Sequence, residues 1–166
     1  KRNGADLVKT QIFDLKHLKY GPWFNDGRVD IYKKAQLNEK KYLELLNFSK
    51  KNKINFFASV MNIDGAKFIL KFQKNLIKIP SMEIANHELL KFCAKKFKKI
   101  IVSTGTATLG EIKILKKIIP GNKLIVLHCT SSYPCNSKDL NLPKINILKK
   151  YFKNVGFSDH TQGIKT

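Results

Sequence analysis

The stretch KIIVSTGTATLGEIKILKKIIPGNKLIVLHC, residues 99–129, contains one complete structural repeat. It opens on a short apolar run, KIIV, and breaks at Ser103-Thr104-Gly105. It resumes as LGEIKILKKI, where apolar residues recur at helical spacing, turns at Pro120-Gly121, and closes on a second apolar run, KLIVLHC. Strand, amphipathic helix, strand is the pattern of a parallel pair joined by a crossover. The same alternation extends in both directions. It predicts strands over 5–13, 54–60, 76–81, 99–105, 123–129 and 155–160, and helices over 38–52, 64–74, 85–97, 109–118 and 142–152, with Asn38 as an N-cap.

Near-continuous apolar strands separated by amphipathic helices belong to a parallel α/β sheet covered by helices. Two architectures fit, an open doubly wound sheet or part of a (β/α)8 barrel. No Gly-rich fingerprint opens a helix after the first strand, which argues against a dinucleotide fold. Residues 14–37 read as one irregular insertion, aromatic through Tyr20, Trp23 and Phe24, placed after a strand end where long loops are often functional or form a packed lid.

The chain has 166 residues, 43% hydrophobic, which is material for one domain with a real core. It begins on Lys1 and stops at Thr166 just after a strand-end loop, and is expected to be part of a longer protein. No run is apolar enough to span a bilayer and no signal-peptide pattern is present, so the expected setting is cytoplasmic with no membrane partner. The formal charge is +20, yet of the 32 basic residues only Arg2 and Arg28 are arginines. Lysines spread over almost every predicted helix describe solvated faces and a field favouring small anions, and no specific nucleic-acid interface. Cys93, Cys129 and Cys135 are odd in number and widely spaced, which argues against a disulfide framework and fits a reducing compartment; Cys93 and Cys129 read as packing residues.

The polar residues at the end of each apolar run carry the functional signal. Lys9, Thr10 and Gln11 close the first; Ser59 the second; Lys78, Ser81 and Glu83 belong to the third; Ser103 and Thr104 to the fourth; His128, Ser131 and Tyr133 to the fifth; Ser158, Asp159 and His160 to the sixth. In a parallel sheet or barrel these ends share one face, where barrel enzymes gather catalytic groups. Two lysines inside apolar strands, with several hydroxyls, suggest a phosphate or carboxylate site. Taken singly, each lysine could equally snorkel to solvent. Glu83 is a candidate acid, base or hydroxyl acceptor, or simply a carboxylate at a helix start. His160 alone is no metal site, and His128 reads first as a satisfied polar residue.

Taken in order, GADLVKTQIF, NFFASV, KIPSMEIAN, VSTGTATLGEI, LHCTSSYPCNSKDLNL and VGFSDHTQG resemble the sialic acid synthase family, the N-acetylneuraminate, legionaminate and pseudaminate synthases. The resemblance runs from Gly4 to Gly163, and the STGT, HCTSSYP and SDHTQG blocks together are specific. It implies a (β/α)8 barrel that condenses phosphoenolpyruvate with an N-acylated aminosugar aldehyde, giving a nine-carbon 2-keto sugar acid and phosphate. A divalent metal, Mn2+ or Mg2+, polarises the aldehyde, and the parent enzyme is a homodimer. By motif position, Lys9 and Lys78 match phosphoenolpyruvate-binding lysines, with Lys78 and Glu83 at the catalytic centre. Ser59 takes a phosphate-contacting position, although FASV departs from the family's usual Phe-Ser-Thr-Pro-Phe. Ser81, Ser103 and Ser158 fall on hydroxyl positions of the same pocket, and Asn86 on the Asn that follows the glutamate. Tyr133 matches a sugar-contacting tyrosine, Ser131 a position where some members place Asn, and His160 one of two metal-binding histidines.

The resemblance also implies that residues 1–166 form a partial catalytic barrel, roughly strands two to seven. The first strand, the last strand with the second metal-binding His, and a C-terminal antifreeze-like domain fall outside. The segment alone is then expected to be inactive and a poor metal binder. Two other readings are an inactive truncated barrel that serves at most as a binding module, and another phosphoenolpyruvate-dependent keto sugar acid synthase.

Overall fold

The structure is a computed structural model and describes residues 2–17, 20–21 and 24–163. The chain divides into two compact units, Lys1–Val60 and Met61–Thr166.

In the first unit, β1 (Leu7–Ile12) and β2 (Asn55–Val60) pair in parallel, with Lys9 opposite Phe57 and Gln11 opposite Ser59. Side chains alternate along a strand, so Lys9, Gln11, Phe57 and Ser59 share one face, and Phe56, Ala58 and Val60 the other. Helix α2 (Glu39–Lys51) covers that second face. Its fully buried Tyr42 packs on Phe56 with ring centroids 5.3 Å apart. Asn38 is the expected N-cap, accepting from the Lys41 amide at 2.9 Å.

The stretch between β1 and α2 corrects the reading of residues 14–37 as an irregular insertion. It holds a 3-10 turn, Leu15–His17, and an eight-residue helix α1, Arg28–Ala35. No residue of α1 is buried, and its Ile31 is 63% exposed. A helix that buries no face leaves no apolar period to find. It starts on Gly27, whose φ of +84° suits glycine, and Asp26 accepts from the Arg28 amide at 3.1 Å. The Phe13 and Tyr32 rings meet edge to face at 5.6 Å. Trp23 lies outside the described residues.

In the second unit the order is α3 (Ile63–Leu70), β3 (Leu76–Ile79), α4 (His87–Lys96), β4 (Lys99–Ser103), α5 (Leu109–Ile118), β5 (Leu124–Cys129), α6 (Lys144–Lys149) and β6 (Val155–Ser158). The strands pair in parallel, each with its successor in the chain. This is the sheet expected from repeated strand-helix-strand units. Ile77, Ile79, Ile100, Val102, Leu124 and Val126 are buried on one face, together with Leu89, Leu90, Ile112, Leu115 and Leu148 from the helices. Complete burial of one such side chain is worth about 1.5–3 kcal/mol, so this layer dominates the unit's stability. The helix starts are specified locally. Asn62 and Asn86 accept from the amides of Gly65 and Leu89, and Thr108 with Glu111 forms a capping box.

Element ends depart from the sequence reading where a side chain intervenes. Helix α3 stops at Leu70, not 74, because Gln73 takes over the backbone: its Oε1 accepts from the amides of Asn75 and Leu76, and its Nε2 donates to Leu76 O at 2.7 Å. The last strand ends at Ser158, not 160, because the Asp159 carboxylate turns the chain by accepting from the Thr161 amide at 2.9 Å. Among the described residues no helix is long and apolar enough to cross a membrane.

Candidate active site

Strand register decides which polar residues of the second unit meet. Lys78 lies opposite Ile101, Ser103 opposite Leu127, and Cys129 opposite Ser158. Alternation therefore puts Lys78, Ser103, Cys129 and Ser158 on one face, the face turned away from Ile77, Ile100, Val102 and Val126. Lys78 and Ser158 are half-buried there. Ser103 is 3% exposed, and its hydroxyl has no hydrogen-bond partner among the described residues. A buried hydroxyl left unpaired costs about 1–3 kcal/mol, which makes it a place where a ligand atom gains more than the usual bond.

The turns after these strands interlock. Ser81 lies in a 3-10 turn, Ser81–Glu83, and its Oγ accepts from the Gly105 amide at 2.9 Å, which leaves its own proton to be donated outward. Thr106 Oγ1 donates to Ser81 O at 2.6 Å. Any Cβ on Gly105 would collide with Ser131 Oγ and stand 3.1 Å from both Cys129 O and Cys129 Sγ. Glycine is what allows the loops after β3, β4 and β5 to touch. Glu83 accepts from Asn86 Nδ2 at 2.9 Å, while Asn86 Oδ1 caps α4 through the Leu89 amide at 3.1 Å. The helix start thereby orients the glutamate.

His160 is held from several sides. Its carbonyl accepts from the Cys135 amide at 2.9 Å, and Cys135 forms a parallel bridge with Thr161. Its Nδ1 lies 2.9 Å from the Thr130 carbonyl. A carbonyl can only accept, so Nδ1 carries the proton and Nε2 of the neutral ring keeps its lone pair. The Tyr133 hydroxyl sits 3.1 Å from Nε2, with the two rings 4.0 Å apart at 31°. Partial desolvation of its hydroxyl end first, and the neighbouring Cys129 second, raise the Tyr133 phenol above its ordinary pKa, although the residue as a whole is exposed. Among the described residues no group of three or more His, Cys, Asp or Glu could hold a metal ion.

Other sequence expectations fall apart from this cluster. His128 is on the opposite face of β5, 2% exposed. It donates from Nε2 to Leu140 O at 2.6 Å and stacks on Phe157, and its Nδ1 is without a partner among the described residues. It is a buried polar residue held through one ring nitrogen, where its sequence position suggested a fully satisfied one. Cys93 is buried, and burial pushes its thiol up to about 12, which fits an inert packing role. In the first unit, Lys9 and Ser59 share the face away from α2. Lys9 is exposed as a residue, yet desolvation lowers its ammonium pKa; Ser59 is 2% exposed. The sequence reading passed over two contributors, Gly105 as a packing requirement and the Thr130 carbonyl that fixes the His160 tautomer. The STGT turn signalled the first, and no side chain signals the second.

Comparison with known proteins places the chain in a family. The chain matches the NeuB family over residues 1–166. It is 35% identical to an N,N'-diacetyllegionaminic acid synthase of Campylobacter jejuni, covering 98% of this chain and 54% of that protein. It is 30% identical to a pseudaminic acid synthase of the same species, covering 98% and 52%. Its structure is similar to the crystal structure of an N-acetylneuraminic acid (sialic acid) synthetase from Leptospira borgpetersenii in complex with citrate. That match has a TM-score of 0.87 at 34% identity and covers 97% of this chain and 56% of the other. The chain thus spans about half the length of the relatives it matches.

Proposed function

Because this chain belongs to the NeuB family, we propose that it forms part of the catalytic barrel of a synthase that joins phosphoenolpyruvate to an N-acylated aminosugar. The observation that carries the proposal is the buried, unpartnered Ser103 hydroxyl, on the same sheet face as Lys78 and Ser158. A cation and two hydroxyls on one half-buried face suit an anion with several acceptor oxygens. Phosphoenolpyruvate offers a carboxylate and a phosphate.

In the proposed reaction a bond forms between the methylene carbon of phosphoenolpyruvate and the sugar's aldehyde carbon. The aldehyde oxygen takes a proton, water adds at the pyruvyl C2, and phosphate leaves by C–O cleavage. Lys78 neutralises the anionic substrate, and Ser81, Ser103 and Ser158 donate to its oxygens. Ser81 is prepared for this, since its oxygen already accepts from Gly105. Glu83, oriented by Asn86, is the proposed acid, base or hydroxyl acceptor. Ser131 and Tyr133 face the sugar. The roles of Lys9 and Ser59 as phosphate contacts rest on the resemblance alone.

His160 fits one position of a divalent cation site, because its Nδ1–H is spent on Thr130 and its Nε2 keeps a lone pair. A bound Mn2+ or Mg2+ would polarise the aldehyde oxygen. Another ligand is expected from sequence beyond Thr166. The whole protein, on this reading, is a cytoplasmic homodimer in which residues 1–166 supply six of eight barrel strands.

The test is phosphate release from phosphoenolpyruvate by the full-length protein, with and without N-acylated aminosugars. Sugar-dependent release that falls at least 100-fold in Lys78→Ala supports the proposal. Release without sugar, or full activity in Lys78→Ala, sinks it.

A further inference from the structure

His128 lies on the helix side of β5, and the site residues lie on the other face of the sheet. Val126, two residues earlier on the same face as His128, is fully buried and apolar, as packing there requires. His128 is as deeply placed, yet it carries two polar nitrogens. Its Nδ1 has no partner among the described residues, a penalty that an apolar ring at this position would not incur. Its Nε2 donates to the Leu140 carbonyl at 2.6 Å. Stacking on Phe157 is open to any aromatic ring, so the bond to Leu140 is what histidine adds. We infer that His128 is a positioning residue for the sugar: from behind the sheet it ties down the loop 130–140, and so holds Ser131 and Tyr133 where the second substrate meets them. The inference rests on the proposed roles of Ser131 and Tyr133 in sugar binding.

The loop is attached at its start, middle and end. At the start, Thr130 Oγ1 donates to Leu140 O at 3.3 Å, which brings the two loop ends together. In the middle, the buried Cys135 donates from its amide to His160 O at 2.9 Å and bridges to Thr161. At the end, Leu140 is buried, and the chain turns away at Asn141, whose φ of +49° is a left-handed conformation that Asn tolerates. The Leu140 carbonyl accepts from both Thr130 and His128, and the His128 bond is the shorter by far. Between the attachments Ser131, Tyr133 and Pro134 are exposed, so burial does not fix them and their place depends on the ends being held. Without the His128 donor, Leu140 O keeps the longer Thr130 bond. The loop is then released for part of the time, and the apparent affinity for the sugar falls by the fraction of time it is held. Loss of one neutral hydrogen bond makes that fall roughly two- to tenfold.

The experiment compares full-length wild type with His128→Phe and His128→Gln. Phenylalanine keeps a ring against Phe157 and removes the donor. Glutamine brings its amide nitrogen to about the place of the imidazole Nε2 and restores the donor. Hydrogen–deuterium exchange over residues 130–140 reads the tether without turnover, while the amides of β4 and β5 report on the fold as a whole. Phosphate release at varied aminosugar and at varied phosphoenolpyruvate reads the site. In His128→Phe the loop should exchange roughly two- to tenfold faster with the strands unchanged, and KM for the sugar should rise by a similar factor while kcat and KM for phosphoenolpyruvate stay as in wild type. His128→Gln should restore both loop exchange and sugar KM. Loop exchange in His128→Phe equal to wild type overturns the tether. Faster loop exchange with an unchanged sugar KM overturns the positioning role, and faster strand exchange in both variants makes His128 a residue of the fold alone; these three results leave the synthase reading in place. A wild-type protein without sugar-dependent phosphate release sinks that reading and the inference with it.

Discussion

Ser103→Ala should make the protein more stable and the enzyme worse, and the two effects have separate origins in one atom. Ser103 is 3% exposed at the end of β4, and its hydroxyl has no partner among the described residues. An unpaired buried hydroxyl costs about 1–3 kcal/mol, so deleting it relieves a penalty that a slightly smaller side chain only partly returns as lost contact. A net gain of about 1 kcal/mol corresponds to a rise of roughly 2–4 °C in Tm for a domain of about this size. Phosphoenolpyruvate would lose a hydrogen bond to a charged oxygen, worth about 1.5–3 kcal/mol, or roughly 10- to 150-fold in affinity. The assay is thermal melting of the full-length protein at increasing phosphoenolpyruvate, which reads stability at zero ligand and affinity from the ligand-induced shift. A Tm that falls by several degrees without ligand would show that the hydroxyl is already engaged. An unchanged ligand-induced shift would remove Ser103 from the binding site.

Gly105→Ala should destabilise by about 1–3 kcal/mol, since its Cβ meets Ser131 Oγ and stands 3.1 Å from the backbone oxygen of Cys129, which cannot step aside; a chemical denaturation midpoint equal to wild type would refute this. Glu111 has its carboxyl pKa lowered by the Thr108 amide and then by the Thr108 hydroxyl, so its stabilisation is present above the ordinary value of 4.5 and is lost as pH falls through the lower folded value. Glu111→Gln should flatten the acid side of a Tm-versus-pH curve, and an unaltered slope would count against the capping box. For Lys9 the folded ammonium pKa lies below the ordinary 10.5 through desolvation, so the folded state gives up its proton first and stability should climb as pH rises between the folded value and 10.5. Lys9→Met should remove that climb without lowering stability at pH 7, and a loss of stability at pH 7 would show that Lys9 has a stabilising partner.

How much of this could be read from the sequence depends on whether a feature lives in one side chain or between two segments. The strands were legible because one fully buried face and one half-buried face together give near-continuous apolar runs, as in KIIV and KLIVL, with breaks at Gly105 and Gly121. Helices α2, α4 and α5 were legible because each buries one stripe against the sheet and starts on its own capping side chain. Helix α1 was not, since it buries nothing and starts on Gly27. The early stop of α3 was hidden as well, because Gln73 ends it by side-chain bonds to backbone, which no periodicity records.

For the site, alternation along a strand did most of the selection. The residues Ser103 and His128 both looked like polar strand ends, yet one faces Lys78 and Ser158 while the other stacks on Phe157 beneath the helices. Counting residues from the strand register separates them, and a one-residue error in where a strand begins would have exchanged them. The tautomer of His160 is a different kind of feature. Its available nitrogen is chosen by a backbone carbonyl thirty residues earlier in the chain. The same loop then supplies Tyr133 to occupy that nitrogen. Motif matching therefore finds the histidine, while the nitrogen it leaves open is settled by the path of the loop Thr130–Pro134 and not by the motif.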